Sequence, residues 1–381
     1  MWALLRDKKF LHATALLVGT MVGVGIFGIP FAFAKAGFWV GVAWLAGLAL
    51  VTVTYDLAFA ELTLSTQGVH HIPGYASIWL GPWARRLSLI GLMLSGYGTL
   101  LAYMIVAGEF LHNILSQYIA VNPDLYSILF AAVWSIFIVA RLRTVAAIDL
   151  AVAAMFGATV LLITALGIRH IDWGNLQGLT SVYWFLPYGV VMFALSGANA
   201  IPLQRQLLAG REKLLRPVII TAVVFVTLLY LIFALVVVGV SGDVTSPDAL
   251  GGLYDILGNG VVILGSLFGI MTISTSFLMM GTTLFETFHV DYRLRAASAW
   301  LLVAVPPVIF FASGLRNFID VIGLIGAVAV GLLAIVILAS YVKAKKFALR
   351  KPEWTLGLPS MAAWALAALF VGGIVYTLAF R

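Results

Sequence analysis

The chain has 381 residues, 63% hydrophobic and 10% charged, with a mean hydropathy of +1.09; soluble domains carry about 25% charged residues, so a soluble globular fold is excluded. It contains no cysteine, which rules out a disulfide scaffold, Cys-bound metals and thiol catalysis. The formal charge of +7 would fit nucleic acid in a soluble protein, but here the basic residues lie between apolar runs, where they set topology.

Apolar windows of about 20 residues cross about 30 Å of hydrocarbon. On that measure the sequence predicts an all-α membrane protein with eleven transmembrane helices, near 10–35, 38–65, 87–116, 124–140, 144–167, 182–208, 217–241, 259–288, 297–313, 317–341 and 357–380. The first run, preceded by Arg6, Lys8 and Lys9, is too long for a cleaved signal peptide. Between the second and third spans, residues 75–86, with Tyr75, Ile78, Trp79 and Trp83, read as an amphipathic helix at the membrane surface. With the N-terminus in the cytoplasm, the inside segments hold 17 of the 22 Lys and Arg, the bias of the positive-inside rule. The expectation is a multi-pass protein of the cell membrane with its C-terminus outside and no nucleic-acid partner.

The first span contains "GTMVGVGIFGIP", residues 19–30, poor helix material in the middle of an apolar run. It has a twin. Gly25-Ile-Phe-Gly-Ile-Pro30 and Gly197-Ala-Asn-Ala-Ile-Pro202 both read G-x-x-(G/A)-I-P, offset by 172 residues, or five spans. A unit with an odd number of crossings must repeat with inverted topology. Paired Gly/Pro-interrupted helices in matching halves point to a transporter binding site at the bilayer midplane. Single small residues in membrane helices more often serve packing; the matched pair favours a site. Unwound backbone at membrane depth is tolerated where it lines a cavity or is buried in protein. Amides freed near Ile29 and Pro30 at a positive helix end suit an anion, and Pro30 and Pro202 suit the first turn of a restarted helix.

The first break, "PGYASIWLGPWARR" (73–86) with "YGTLLAYMIVAGEFL" (97–111), "MFALSGANAIP" (192–202) and "TSFLMMGTTLFETF" (275–288), taken in order, resemble the amino acid/auxin permease family, and within it the bacterial aromatic amino acid permeases. That family lies in the amino acid–polyamine–organocation superfamily of LeuT-type transporters. The resemblance implies two inverted five-helix repeats, 1–167 and 168–345, with broken helices 1 and 6, and an eleventh helix in 346–381. It implies import of a neutral or aromatic amino acid by alternating access, coupled to sodium or protons. Gly23, Val24 and Gly25 would offer amides to the substrate carboxylate. Ser196, Gly197, Ala198 and Asn199 would take the ammonium and shape the pocket, with Tyr97 or Tyr103 capping it. Asn199 stands where relatives often carry histidine, a departure that bears on substrate and proton coupling.

No organic cofactor is implied. A coupling sodium would sit between carbonyls of Gly19 and Val22 and hydroxyls of Thr275 and Ser276, oxygen ligands of the kind hard cations take. Proton-driven relatives place a lysine from the fifth helix there, and span 144–167 has none; either ion remains open. The family pattern also suggests two gates, Arg6 against Glu286 or Asp291 inside and Lys35 against Asp320 outside. Ionisable residues inside a membrane are functional candidates by default; Asp56, Glu61, Glu109, Arg205, Glu286 and Asp320 qualify. Most fall near predicted span ends, where snorkelling is ordinary, and Glu109 reads as the deepest proton carrier. No P-loop, G-x-S-x-G or H-E-x-x-H motif supports an enzyme. The alternative on the same fold is a non-transporting amino acid sensor, such as a germination-receptor subunit.

Overall fold

The computed structural model describes residues 7–116, 118–119, 121–138, 145–178 and 182–380. Helices α1 (Lys8–Met21) and α2 (Gly25–Ala36) form the first apolar run and meet at 57° across Val22, Gly23 and Val24. Asp7 caps α1, its carboxylate accepting the Lys9 and Phe10 amides. Then come α3 (Phe38–Leu64), α4 (Ile72–Leu80), α5 (Pro82–Leu115), α6 (Pro123–Ile138) and α7 (Val145–Gly167). The second half holds α8 (Leu186–Ala194), α9 (Ile201–Leu207), α10 (Leu215–Ser241), α11 (Tyr254–Leu257), α12 (Asn259–Glu286) and α13 (Ala296–Ala312). It ends in α14 (Phe318–Leu324), which runs through a π turn, Ile325–Val330, into α15 (Gly331–Lys346), and in α16 (Ser360–Ala379). Among the described residues there is no strand.

Among the described residues seven helical runs are long and apolar enough to cross a membrane, and the bent α1–α2 pair makes an eighth. Of the remaining apolar helices, α7 (Val145–Gly167) runs 23 residues, α13 (Ala296–Ala312) 17, and α6 (Pro123–Ile138) 16 up to the last residue described before 145. These three are the fourth, fifth and ninth of the eleven expected spans. Two sequence-based details also differ. The helix expected over 75–86 is α4, which ends at Gly81 (φ 97°) before Pro82 opens α5. Its Tyr75 and Trp79 are buried, and the Trp79 indole donates to Thr66 Oγ1 at 2.9 Å; only its Ile78, with Trp83 just beyond, is exposed. Pro30 lies inside α2 because the helix restarts earlier, at Gly25, whereas Pro202 does sit in the first turn of α9.

The helices are apolar on nearly every face, as buried membrane helices are, and their packing partners recur. Helix α2 packs on α8, α3 on α10 and α5 on α12; α5 also meets α6 as α12 meets α13. The short helices α4 and α11 both end in Leu-Gly, with Gly81 and Gly258 at positive φ, and each launches the long helix that follows. Glycine enables the tightest crossing. A Cβ on Gly326, in the π turn, would overlap the Gly189 carbonyl oxygen and lie 2.6 Å from the Phe193 nitrogen, so two backbones touch there, as small residues permit in membranes.

The chain end of α3 is clamped. Arg205 of α9 donates to the Thr63 and Gly68 carbonyls. The linker after α15 adds the Leu349 and Arg350 amides, both on the Ser65 carbonyl at 3.1 Å, and Arg350 Nη1 on the Leu64 carbonyl at 3.0 Å. Glu61 accepts the Leu356 amide at 2.6 Å.

Candidate functional site

Two interruptions, Val22–Val24 and Leu195–Gly197, lie side by side in the centre of this bundle. At the first, Val22 still donates to the Val18 carbonyl at 2.8 Å. The next backbone bonds run from Ile26 to Gly23 and from Phe27 to Val24, at 3.3 and 3.2 Å. The amides of Gly23, Val24 and Gly25 therefore have no backbone acceptor among the described residues. They sit at the positive end of α2, where the helix dipole and unpaired N–H groups favour negative charge. At the second break Ser196 bonds back to the Phe193 carbonyl through both its amide (3.2 Å) and its hydroxyl (2.8 Å). A single 3-10 turn, Ala198–Ala200, leads into α9.

The breaks touch through their small residues. A Cβ on Gly25 would lie 2.7 Å from Ala194 Cα and 3.3 Å from Phe193 Cδ1; a Cβ on Gly197 would overlap the Met21 methyl. Gly25 and Gly197 are thus the contact points of α2 with α8 and of the second break with α1. Gly23 differs: its Cβ direction meets only the Tyr103 hydroxyl, 3.9 Å away. Tyr103 of α5 therefore faces the first break, while Tyr97 donates its hydroxyl to the Leu302 carbonyl of α13 at 2.8 Å.

Sequence reasoning missed Tyr230. From the middle of α10 its fully buried hydroxyl donates to the Met21 carbonyl at 2.8 Å and lies 3.1 Å from the Ala194 carbonyl. One hydroxyl thus ties together the carbonyl ends of both helices that stop at a break. In the sequence it is one tyrosine in "VTLLYLIFALVVV", an apolar run whose one other polar residue is Thr227.

Ser196, Ala198 and Asn199 line a narrow cleft together with Tyr55 of α3, Ser95 of α5 and Leu333 of α15. The first-break residues do not line it. Of the expected cation ligands, Gly19 has open space around its Cβ direction, whereas Thr275 returns its hydroxyl to the Thr272 carbonyl at 3.0 Å. Helix α12, which carries Thr275 and Ser276, packs chiefly on α5, α6 and α7, and α1 packs chiefly on α10. Among the described residues no three acidic or histidine side chains converge on a metal position.

Arg6 lies outside the described residues, as does the side chain of Asp291, and Glu286 is exposed at the end of α12. On the N-terminal side of α1 the observed ties are an Asp7–Arg211 ion pair at 2.7 Å and Lys9 Nζ on the Ala209 carbonyl at 3.3 Å. Lys35 stands over the Phe31 ring, 5.5 Å from its centroid, and borders a cleft with Tyr183 and Asp243. Asp320 is exposed in the first turn of α14, its amide held by Asn317. Glu109 is exposed near the end of α5. The deeply buried carboxylate is instead Asp56, at 0% exposure in α3.

Comparison with known proteins agrees with this architecture. The "Tyrosine-specific transport system 1" of Haemophilus influenzae is 24% identical, with 84% of each chain covered. The tryptophan/tyrosine permease family matches residues 6–379, nearly the whole chain. This multi-pass membrane protein, with two interrupted helices meeting at its centre, belongs to the tryptophan/tyrosine permease family.

Proposed function

We propose that the chain imports an aromatic amino acid, with tyrosine or tryptophan the first candidates, by ion-coupled alternating access in the cell membrane. The fold we propose is the LeuT-type layout, repeats 1–167 and 168–345 in inverted topology plus α16, with the N-terminus cytoplasmic and the C-terminus outside. The recurring packing of α2 on α8, α3 on α10 and α5 on α12 supports it. The observation that carries the functional reading is the pair of helix breaks joined by Tyr230. A zwitterionic amino acid needs donors for its carboxylate and acceptors for its ammonium within one small volume. The free amides of Gly23, Val24 and Gly25 would take the carboxylate, as helix N-termini take anions. Carbonyls of the second break, Ser196 to Asn199, would take the ammonium, with the side chain beside Tyr103. Coupling is to a sodium or a proton gradient; Gly19, Val22, Thr275 and Ser276 are the sodium candidates. No feature calls for chemistry on the substrate, and a permease is a transporter rather than an enzyme.

The test is uptake by the purified chain alone in liposomes, screened over the amino acids. Saturable tyrosine or tryptophan accumulation that collapses with the ion gradient is expected. Binding without any flux would instead support the sensor reading.

A further inference from the structure

Among the described residues Asp56 is a fully buried carboxylate with nothing to balance a charge. Both its carboxylate oxygens are buried and neither has a hydrogen-bond partner. It lies about 12 Å of helix rise from the clamped end of α3, well inside the apolar run. An ionised carboxylate so placed, with neither cation nor donor, carries a desolvation cost that nothing repays. Other buried polar side chains share the condition, among them the hydroxyl of Tyr55, next to Asp56 on α3. Thr52, one turn earlier on the same face of α3, has an unpartnered hydroxyl, and Gln204 of α9 has both amide atoms unpartnered. Helix α9 packs against α3 and is the half-helix that follows the second break.

The charged and titratable groups of the surrounding elements are engaged elsewhere or exposed. Arg205 of α9 is spent on the Thr63 and Gly68 carbonyls, and Tyr230 of α10 on Met21. Tyr341 of α15 donates to the Leu358 carbonyl, as does Lys345, and Tyr75 of α4 accepts the His70 amide. Lys35 of α2, Arg216 of α10 and Lys343 and Lys346 of α15 are exposed; Tyr188 of α8 has no partner of its own. On α3, Glu61 holds the Leu356 amide. None of these makes a hydrogen bond to Asp56.

We propose that Asp56 is the proton carrier of this permease, neutral in the conformation described and ionised when movement of α9 brings Gln204 or water to it. This rests on the transport reading and specifies its coupling ion. Each cycle would load one proton onto the carboxylate from the side of higher proton concentration and release it on the other, leaving the carboxylate as it began. The unpartnered Thr52 hydroxyl and Gln204 amide are the groups that would solvate the charge in the ionised state.

The experiment uses full-length protein in liposomes with tyrosine and tryptophan as probes, comparing wild type with Asp56→Asn, which matches the neutral acid in shape. The readout is the ratio of uptake with and without an inward proton gradient of one pH unit, able to drive about tenfold accumulation per proton. The ratio should rise severalfold above one in wild type and be one in Asp56→Asn, while exchange of internal for external tyrosine stays measurable in the variant. A variant that still responds to the proton gradient, or a wild type driven only by sodium, overturns the proposal and leaves transport standing. A wild type with neither uptake nor exchange removes the transport reading, and the proposal with it. Should Asp56→Asn fail to fold, infrared spectroscopy of the wild type decides. A neutral carboxylic acid carbonyl band at neutral pH, shifting in deuterium oxide, is expected, and ionised carboxylates alone would contradict it.

Discussion

Gly23 and Gly25 flank Val24 in the first break, yet their surroundings predict opposite consequences of substitution. A side chain on Gly25 must displace the Ala194 backbone, 2.7 Å from its Cβ position. Overfilling such a contact typically costs about 1–3 kcal/mol, so Gly25→Val should lower the melting temperature in detergent as well as transport. Tyr230→Phe removes the hydroxyl that bonds the Met21 and Ala194 carbonyls. Leaving a buried acceptor unsatisfied costs roughly 1–3 kcal/mol; the variant should melt lower than wild type, and an unchanged melt would mean the hydroxyl does not hold the two breaks. The importance of both positions was unequally legible. The glycines announce themselves against a helical background, whereas Tyr230 and Asp56 sit in helices apolar on every side, where periodicity selects no face. That is also why Glu109 reads as the deeper acid in the sequence although it is exposed and Asp56 is not.

Among the elements, the sequence shows where helices break better than where they begin. The twin G-x-x-(G/A)-I-P stretches locate both interruptions, but Pro30 lies inside α2 because the unpaired stretch ends at Gly25 rather than at the proline. The ninth span, expected over 297–313, is α13, Ala296–Ala312, within one residue at each end. The tie between α1 and the end of α9 came from neither pattern nor resemblance: it is the Asp7–Arg211 ion pair, in which Arg211 is about half exposed. Exposed pairs contribute about 0–1 kcal/mol, so Asp7→Asn should shift the balance of conformations only modestly. The chain has no cysteine, so a single Ser196→Cys in the cleft beside the second break reports accessibility cleanly. Its labelling rate should rise roughly two- to fivefold when Asp7→Asn is added, the range that up to about 1 kcal/mol allows. No change would mean α1 is held by packing alone.

For the molecule as a whole, the two helix breaks meet in the middle of the bundle, Gly25 against Ala194 and Gly197 against Met21. In the proposed site the free amides of Gly23, Val24 and Gly25 hold the carboxylate and carbonyls of the second break the ammonium, beside Tyr103. Equilibrium binding of tyrosine and tryptophan to wild type and Gly23→Val tests that site most directly. Gly23 has room for a side chain, its nearest neighbour being the Tyr103 hydroxyl 3.9 Å from the Cβ position, so the fold should persist with an unchanged melting temperature. The added isopropyl group would stand where the substrate carboxylate meets the amides, and affinity should fall at least tenfold, about 1.4 kcal/mol. Near-normal affinity in a folded Gly23→Val would contradict the account and place the carboxylate away from the paired breaks.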